Sequence, residues 1–240
     1  MSLKRSSGTV PGLGSGDPDN WMSALFRRPS DETVHAVDDE FDNASKDAAW
    51  VESDPSGTTV WTEKRHVLSA SFFGQGDADI ATFMKPLALS APVTIETAFR
   101  VFADDPNFAT VGLLFADGTA STDDGVGVRF YTTNTAQSWI NIRNGTLATF
   151  SSAPSGVSNV EISAGSFPFS HLYLRMIWSA TNTWKTMYSI DGITWLNAVG
   201  TGTSTLTPTY MGMFVSAWTG SGKHAASFEY FRVTEADLSA

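Results

Sequence analysis

The chain has 240 residues, a formal net charge of −10, no cysteine and only 17% charged residues. That length supports one large domain or two small ones, and the lack of cysteine excludes thiol nucleophiles, thiol redox chemistry and zinc sites built on thiolates. The acidic balance argues against a nucleic-acid partner held by charge neutralisation, and the 28 serines and 27 threonines that replace charge point to a hydroxyl-rich β protein.

Residues 1–37 are punctuated by Gly8, Pro11, Gly12, Gly14, Gly16, Pro18 and Pro29 and carry no lasting apolar period. They predict an extended N-terminal arm with one helical turn at Asp19–Phe26. Lys4, Arg5, Arg27 and Arg28 offset Asp17, Asp19, Asp31 and Glu32, so the arm is neutral. No apolar run follows Lys4 and Arg5, so the start does not read as a secretory signal. Nowhere does the chain reach the roughly 18 apolar residues of a membrane span. The body is expected to occupy residues 38–240. Its first part, residues 38–79, holds ten acidic and three basic groups, a balance of −7, and the rest holds −3.

From Val60 onward, short runs of β-forming residues alternate with turn clusters. Strands are predicted near Val60–Phe73, Ile80–Leu89, Val93–Phe102, Thr110–Phe115, Gly125–Thr132, Ser138–Asn144 and Thr146–Ser151. Others follow near Asn159–Ser163, His171–Ser179, Trp184–Ile190, Thr194–Val199, Tyr210–Trp218 and Ala226–Thr234. The dipeptides Asn144-Gly145 and Asp191-Gly192 predict type I′ hairpin turns. So many antiparallel strands favour two sheets packed face to face over one open sheet.

Three stretches resemble the concanavalin A-like, laminin-G-like jelly rolls found in bacteriophage virion proteins and appended to glycosidases. They are "DDEFDNASKDAAW" (Asp38–Trp50), "HLYLRMIWSATNTWKTMYSIDGITW" (His171–Trp195) and "MGMFVSAWTGSGKHAASFEYFRV" (Met211–Val233). The resemblance implies an all-β, two-sheet antiparallel jelly-roll sandwich. It also implies that the first segment, "EFD", lies beside the last, "FEYFRV", and closes the domain.

Catalytic members of this fold alternate two Glu and an Asp along one strand, which places the carboxylates on one face. Here Glu96, Glu161 and Glu229 have no carboxylate two or four positions away, so no catalytic residue is assigned and no enzyme is expected. The four histidines, His35, His66, His171 and His224, share no ligand spacing, and no Gly-x-Ser-x-Gly elbow is present. Acidic turns at Asp38-Asp39, Asp77-x-Asp79, Asp104-Asp105 and Asp123-Asp124 have the oxygen ligands that calcium takes. Turn chemistry explains the same residues, so no metal ligand and no cofactor is assigned.

Alternation sends Val126, Val128, Phe130, Ile140 and Ile142 to the core, and Arg129, Tyr131, Trp139, Asn141 and Arg143 away from it. The same reading turns Glu96 and Arg100 outward from the Val93–Phe102 strand. If these strands are neighbours, all seven residues form one carbohydrate-binding face of stacking rings and hydrogen-bonding groups. A solvated or interface face is the competing reading. Trp50, Trp61, Trp178, Trp184, Trp195 and Trp218 are expected in the core or at sheet ends.

The leading functional expectation is a non-enzymatic structural protein of a bacteriophage virion, in a tail fibre or head decoration, attached through the arm by Lys4, Arg5, Trp21, Phe26, Arg27 and Arg28. Its expected partners are other virion proteins, further copies of itself in an oligomer, and a cell-surface glycan, with no nucleic acid and no membrane insertion. The alternatives are a carbohydrate-binding module and a divergent glycoside hydrolase.

Overall fold

The computed structural model describes residues 35, 37–42, 45–64, 66–74, 80–103, 109–132, 138–150, 152, 160–163, 171–180, 183–217 and 222–239. The predicted arm, with Lys4, Arg5, Trp21, Phe26, Arg27 and Arg28, lies outside the described residues, as do Asp77, Asp79, Asp104, Asp105 and Trp218.

Among the described residues the chain forms strands and no helix. The first five strands are β1 (Val51–Ser53), β2 (Val60–Glu63), β3 (Leu68–Phe72), β4 (Ala81–Pro86) and β5 (Val93–Ala103). The next five are β6 (Ala109–Ala116), β7 (Asp124–Thr132), β8 (Ser138–Thr146), β9 (Val160–Ser163) and β10 (Leu172–Ala180). The last five are β11 (Thr183–Ser189), β12 (Leu196–Thr203), β13 (Tyr210–Ala217), β14 (His224–Phe228) and β15 (Arg232–Thr234).

All pairings between them are antiparallel, in two sheets. One has seven strands in the order β1-β4-β13-β6-β7-β8-β9. The other has eight, in the order β12-β11-β10-β5-β14-β3-β2, with β15 continuing along β5. The all-β two-sheet sandwich is therefore present.

The burial pattern explains each strand's composition. In β3, Leu68, Ala70 and Phe72 point inward and alternate with Ser69 and Ser71, as expected of a sheet with one face on the core. Strands β4, β6 and β13 are buried almost throughout, because both their faces are covered. Inward residues of both sheets, among them Phe83, Ile95, Phe99, Leu113, Phe115, Val128, Phe130, Leu174, Met213 and Phe228, form the main core. A smaller cluster of Ile80, Met84, Leu114, Leu147, Phe150 and Phe214 packs on the outer face of the seven-stranded sheet.

Two turns differ from expectation. Asn144-Gly145 is not a hairpin turn but part of β8, where Val126 pairs with Asn144 and Gly125 with Gly145. The chain turns instead at residues 147–150, where the Thr149 N–H donates to the Thr146 carbonyl. That places Leu147 and Phe150 in the outer cluster, directly over Gly125 and Gly127. A Cβ at Gly125 would sit 3.2 Å from both side chains, and one at Gly127 3.0 Å from the Phe150 ring. Burial of two large apolar groups, about 1.5–3 kcal/mol each, outweighs the local preference of the dipeptide.

The Asp191-Gly192 connection is a longer loop, residues 190–195, in which only Gly192 has a positive φ, at 72°. Asp191 Oδ1 accepts hydrogen bonds from the N–H groups of Ile193 and Thr194 and from the Ser189 hydroxyl. These bonds hold the Asp191 carboxyl at a pKa of about 2.

Closure of the two ends is present as the resemblance implied. Asp39 and Phe231 exchange both backbone hydrogen bonds, at 2.8 and 2.7 Å. Asp38 Oδ1 accepts from the Val233 N–H, and Arg232 forms a bidentate pair with Glu40. Asp39 Oδ2 also accepts from Trp50 Nε1 at 2.6 Å and lies 3.5 Å from Lys85 Nζ. Lys85, on β4, is only 3% exposed; it pairs with Asp47 at 3.2 Å and sits over the Trp50 ring.

Removing one partner of a buried ion pair leaves the other uncompensated. Asp39→Ala removes the acceptor of Trp50 Nε1 and leaves Lys85 only the half-exposed Asp47 as a carboxylate partner, so it is expected to lower stability by about 2 kcal/mol or more, read from urea denaturation midpoints. Lys85→Met keeps the volume and leaves Asp39 its Trp50 donor, so its loss is expected to be less than half as large. Equal losses would show that the weakened pairing of the buried ammonium is not the cause.

Candidate functional site

On the outer face of the seven-stranded sheet, strand register lines polar side chains up in rows. One row runs from Ser216 on β13 through Thr110 on β6 and Tyr131 on β7 to Trp139 on β8, ending at Glu161 on β9. The next runs from Thr82 on β4 through Phe214, Gly112 and Arg129 to Asn141. Arg143 stands opposite Gly127 in the row beyond. Five of the seven residues expected on one face, Arg129, Tyr131, Trp139, Asn141 and Arg143, are thus brought together.

Glu96 and Arg100 are not. They project from β5, whose neighbours are β10, β14 and β15 in the eight-stranded sheet, so they lie on the opposite outer surface of the sandwich. Alternation along a strand reveals which residues leave the core but not which sheet carries them.

Arg129 Nε donates to Asn141 Oδ1 at 2.9 Å, and the guanidinium stacks 4.8 Å from the Tyr131 ring centre. Both members of the hydrogen-bonded pair are buried, Arg129 at 4% and Asn141 at 1% exposure. Fixing Oδ1 leaves Asn141 Nδ2 without an acceptor among the described residues. The hydroxyls of Thr82, Thr110 and Ser216 are also buried without a partner there. A buried polar group without a partner costs about 1–3 kcal/mol, so native proteins keep few of them and such groups call for a water, ligand or ion. Gly112 lets the Phe214 ring lie across the sheet beside Arg129, since a Cβ there would come within 2.5 Å of that ring. Tyr131, Trp139 and Arg143 are half-buried along the row. The face therefore holds buried hydroxyls that can both donate and accept and an amide donor, none more than 1% exposed, beside two rings with partial access.

Thr82, Thr110 and Ser216 escaped the sequence reading because each stands inside an apolar run, "ATFM", "ATVGLL" and "MFVSA". A lone hydroxyl at an alternate position of such a run is the signal that marks them.

The outer face of the eight-stranded sheet is a network of paired charges. Glu96 accepts from Arg175 Nε and from the Tyr230 hydroxyl, both at 2.6 Å. The Arg175 guanidinium lies 3.7 Å from the centre of the Trp195 ring, which meets Tyr173 edge-on. Trp195 is thus on this outer surface, whereas Trp50, Trp61 and Trp184 are in the core with Trp178 against them.

Glu229 is held by His171 and Arg100, and its backbone N–H donates to the Ala98 carbonyl between Glu96 and Arg100. Glu229, one residue beyond β14, and Glu96 on β5 thus share this outer face, each with its own cationic partners. Burial, together with the charges of Glu229, Glu96 and Asp191, pushes the Tyr173 phenol up to about 12.

No group of three acidic or histidine side chains suited to a metal ion occurs among the described residues. In the turns singled out for calcium, carboxylate oxygens accept backbone N–H groups: Asp38 from His35 and Val233, Asp39 from Phe41, and Asp123 from Ala120.

Two measurements check this geometry. Replacing a buried, unpartnered hydroxyl by a methyl removes its desolvation cost. Thr82→Val and Thr110→Val are each expected to raise unfolding free energy by about 1 kcal/mol, and a loss of that size would mean that the hydroxyls are satisfied. The phenol of Tyr173 has a folded pKa above its unfolded value, so its stabilising contribution is complete below pH 10 and disappears as pH rises towards about 12. Ultraviolet difference titration of the protein against Tyr173→Phe should show that phenol ionising near pH 12, and ionisation near 10 would contradict the burial.

A scan with protein-family models gives no match, and neither does a search of curated proteins. Solved structures do match. A single-substitution mutant of the GH43 protein BlXynB from Bacillus licheniformis aligns with a TM-score of 0.56 and 15% identity over 86% of this chain and 40% of that one. The chain thus spans less than half the length of that protein. The exoplasmic/lumenal domain of VIP36, solved with Ca²⁺ and Man3GlcNAc bound, aligns with a TM-score of 0.54 and 10% identity over 80% of this chain and 86% of that one. The legume lectin-like domain from Entamoeba histolytica gives 0.54 and 10% over 79% and 91%. At such identities the likeness concerns the fold: in its sheet pairing, its end closure and its overlap with these structures, the chain is a concanavalin A-like jelly-roll β-sandwich.

Proposed function

We propose that the protein is a non-catalytic carbohydrate-binding sandwich that holds an oligosaccharide on the outer face of its seven-stranded sheet. The observation that carries this reading is the set of buried groups without a partner among the described residues, the hydroxyls of Thr82, Thr110 and Ser216 and Nδ2 of Asn141, behind the half-buried rings of Tyr131 and Trp139. A pyranose presents an apolar C–H face to a ring and hydroxyls around its rim. Seated on the rings of Tyr131 and Trp139, it closes the face over water that completes the hydrogen bonds of the buried groups behind them. The solved structures support this reading, since VIP36 is described with a bound mannose-containing glycan.

The expectation of a virion role rests on residues 1–37, on a start that does not read as a secretory signal, on the missing catalytic pattern and on the resemblance, and nothing in these comparisons supports it. The glycan reading therefore replaces it as the leading one. Absence of catalysis is part of the proposal: Glu96 and Glu229 are held by cationic partners on the other sheet, and Glu161 is exposed on β9.

A glycan array followed by titration calorimetry tests the reading. Trp139→Ala is expected to weaken binding at least tenfold, about 1.4 kcal/mol, with the melting transition kept, and Asn141→Ala to weaken it as much while lowering that transition, since it removes an acceptor of buried Arg129. The absence of any bound glycan, or variants that bind as the parent does, would overturn it. Release of reducing ends from a β-glucan, abolished by Glu96→Gln or Glu161→Gln, would instead establish a glycosidase.

A further inference from the structure

We infer that the β2–β3 end of the eight-stranded sheet carries a second glycan-contact surface, a flat platform for the apolar ring faces of a neutral, extended polysaccharide. Large apolar side chains stand exposed there: Val60 at 64%, Phe73 at 48% and Phe102 at 58%. Strand register puts Phe102, Ala225, Ser71 and Val60 in one row across β5, β14, β3 and β2. Phe73 lies two residues beyond Ser71 on the same face. With neighbouring strands about 4.8 Å apart, Phe102 and the strand leading to Phe73 are separated by about 10 Å. Among the described residues the side chains between them are short, Ser69, Ser71 and Ala225, with the exposed Lys223 at the margin beside Phe73, so a ligand can lie flat along the row.

The chemistry of the patch selects its occupant. In a chain of net charge −10, this row carries no charged side chain. Lys223 precedes it, and Arg100 and Glu229 at its border pair with each other and with His171. A polyanion gains nothing from such a strip and is repelled by the rest of the molecule. With about 150–250 Å² per aromatic side chain, the three half-exposed groups offer roughly 300 Å² of apolar surface. A stable protein–protein interface needs about 800 Å² per partner, and these side chains are separated by serine and alanine instead of forming one continuous patch. An equatorially substituted pyranose chain matches them: it has a C–H face for each ring and hydroxyls at its edges for Ser69, Ser71 and water.

This inference shares with the proposed function only the class of ligand, since face and residues are different. The test is depletion of the full-length chain from solution by microcrystalline cellulose, chitin or insoluble xylan. At least one polymer is expected to deplete the parent protein. The Phe73→Ala/Phe102→Ala double variant, exposed enough to leave the fold intact, is expected to lose tenfold or more in partition. Trp139→Ala should be depleted like the parent, and the double variant should keep its affinity for soluble oligosaccharides, so either surface can fail without the other. No depletion by any of the three polymers, an unaffected double variant, or equal loss in Trp139→Ala would overturn the platform. A parent that sediments as a dimer and becomes a monomer in the double variant would identify the strip as a contact between copies and overturn it too.

Discussion

The sandwich depends on the buried carboxylate of Asp39. Its backbone is stitched to Phe231, where β14 gives way to β15 in the eight-stranded sheet. Its side chain accepts the Trp50 indole and faces Lys85 on β4 of the seven-stranded sheet. One residue thus joins both sheets and the segment leading into β1. The aromatic cluster follows from that junction: Trp50 stacks on Phe83 at 4.4 Å and meets Phe231 edge-on at 5.3 Å, and Trp61 bridges Phe83 to Phe228. A buried charge pair contributes little net stability but makes alternatives expensive. In this protein the alternative excluded is an unsealed end of the core.

With that end sealed, the two outer faces differ in kind. The outer face of the eight-stranded sheet sets charges in pairs: Glu96 with Arg175, Glu229 with His171 and Arg100, Arg232 with Glu40. The seven-stranded sheet instead retains hydroxyls and an amide that the described residues do not satisfy. A sheet face that keeps buried hydroxyls without partners among the described residues has given up stability locally, and binding sites are where such costs are commonly found.

The fold was legible in the sequence because period-two alternation and turn residues are local signals. Strands such as Val93–Ala103 and Tyr210–Ala217 lie where composition placed them. Contacts distant in sequence were not legible. Nothing near Asn144-Gly145 announces that Leu147 and Phe150 will cover the two glycines of β7, which is what carries β8 through that dipeptide. The candidate site shows the same division. Alternation oriented Arg129, Tyr131, Trp139, Asn141 and Arg143, and β7–β8 pairing joined them, whereas Glu96 and Arg100 required the strand order to be placed on their own sheet. Thr82, Thr110 and Ser216 were hidden because an isolated hydroxyl in an apolar strand resembles ordinary strand composition.

The meeting of residues 38–40 with residues 231–233 also has a topological consequence. His35 reaches Glu235 across 200 positions, at 3.2 Å, so the body's backbone enters and leaves at one corner, almost as a closed ring. A ring of this kind tolerates circular permutation and can be spliced into a surface loop of a host protein without spreading that loop. Such a graft would hang from a single point on its host.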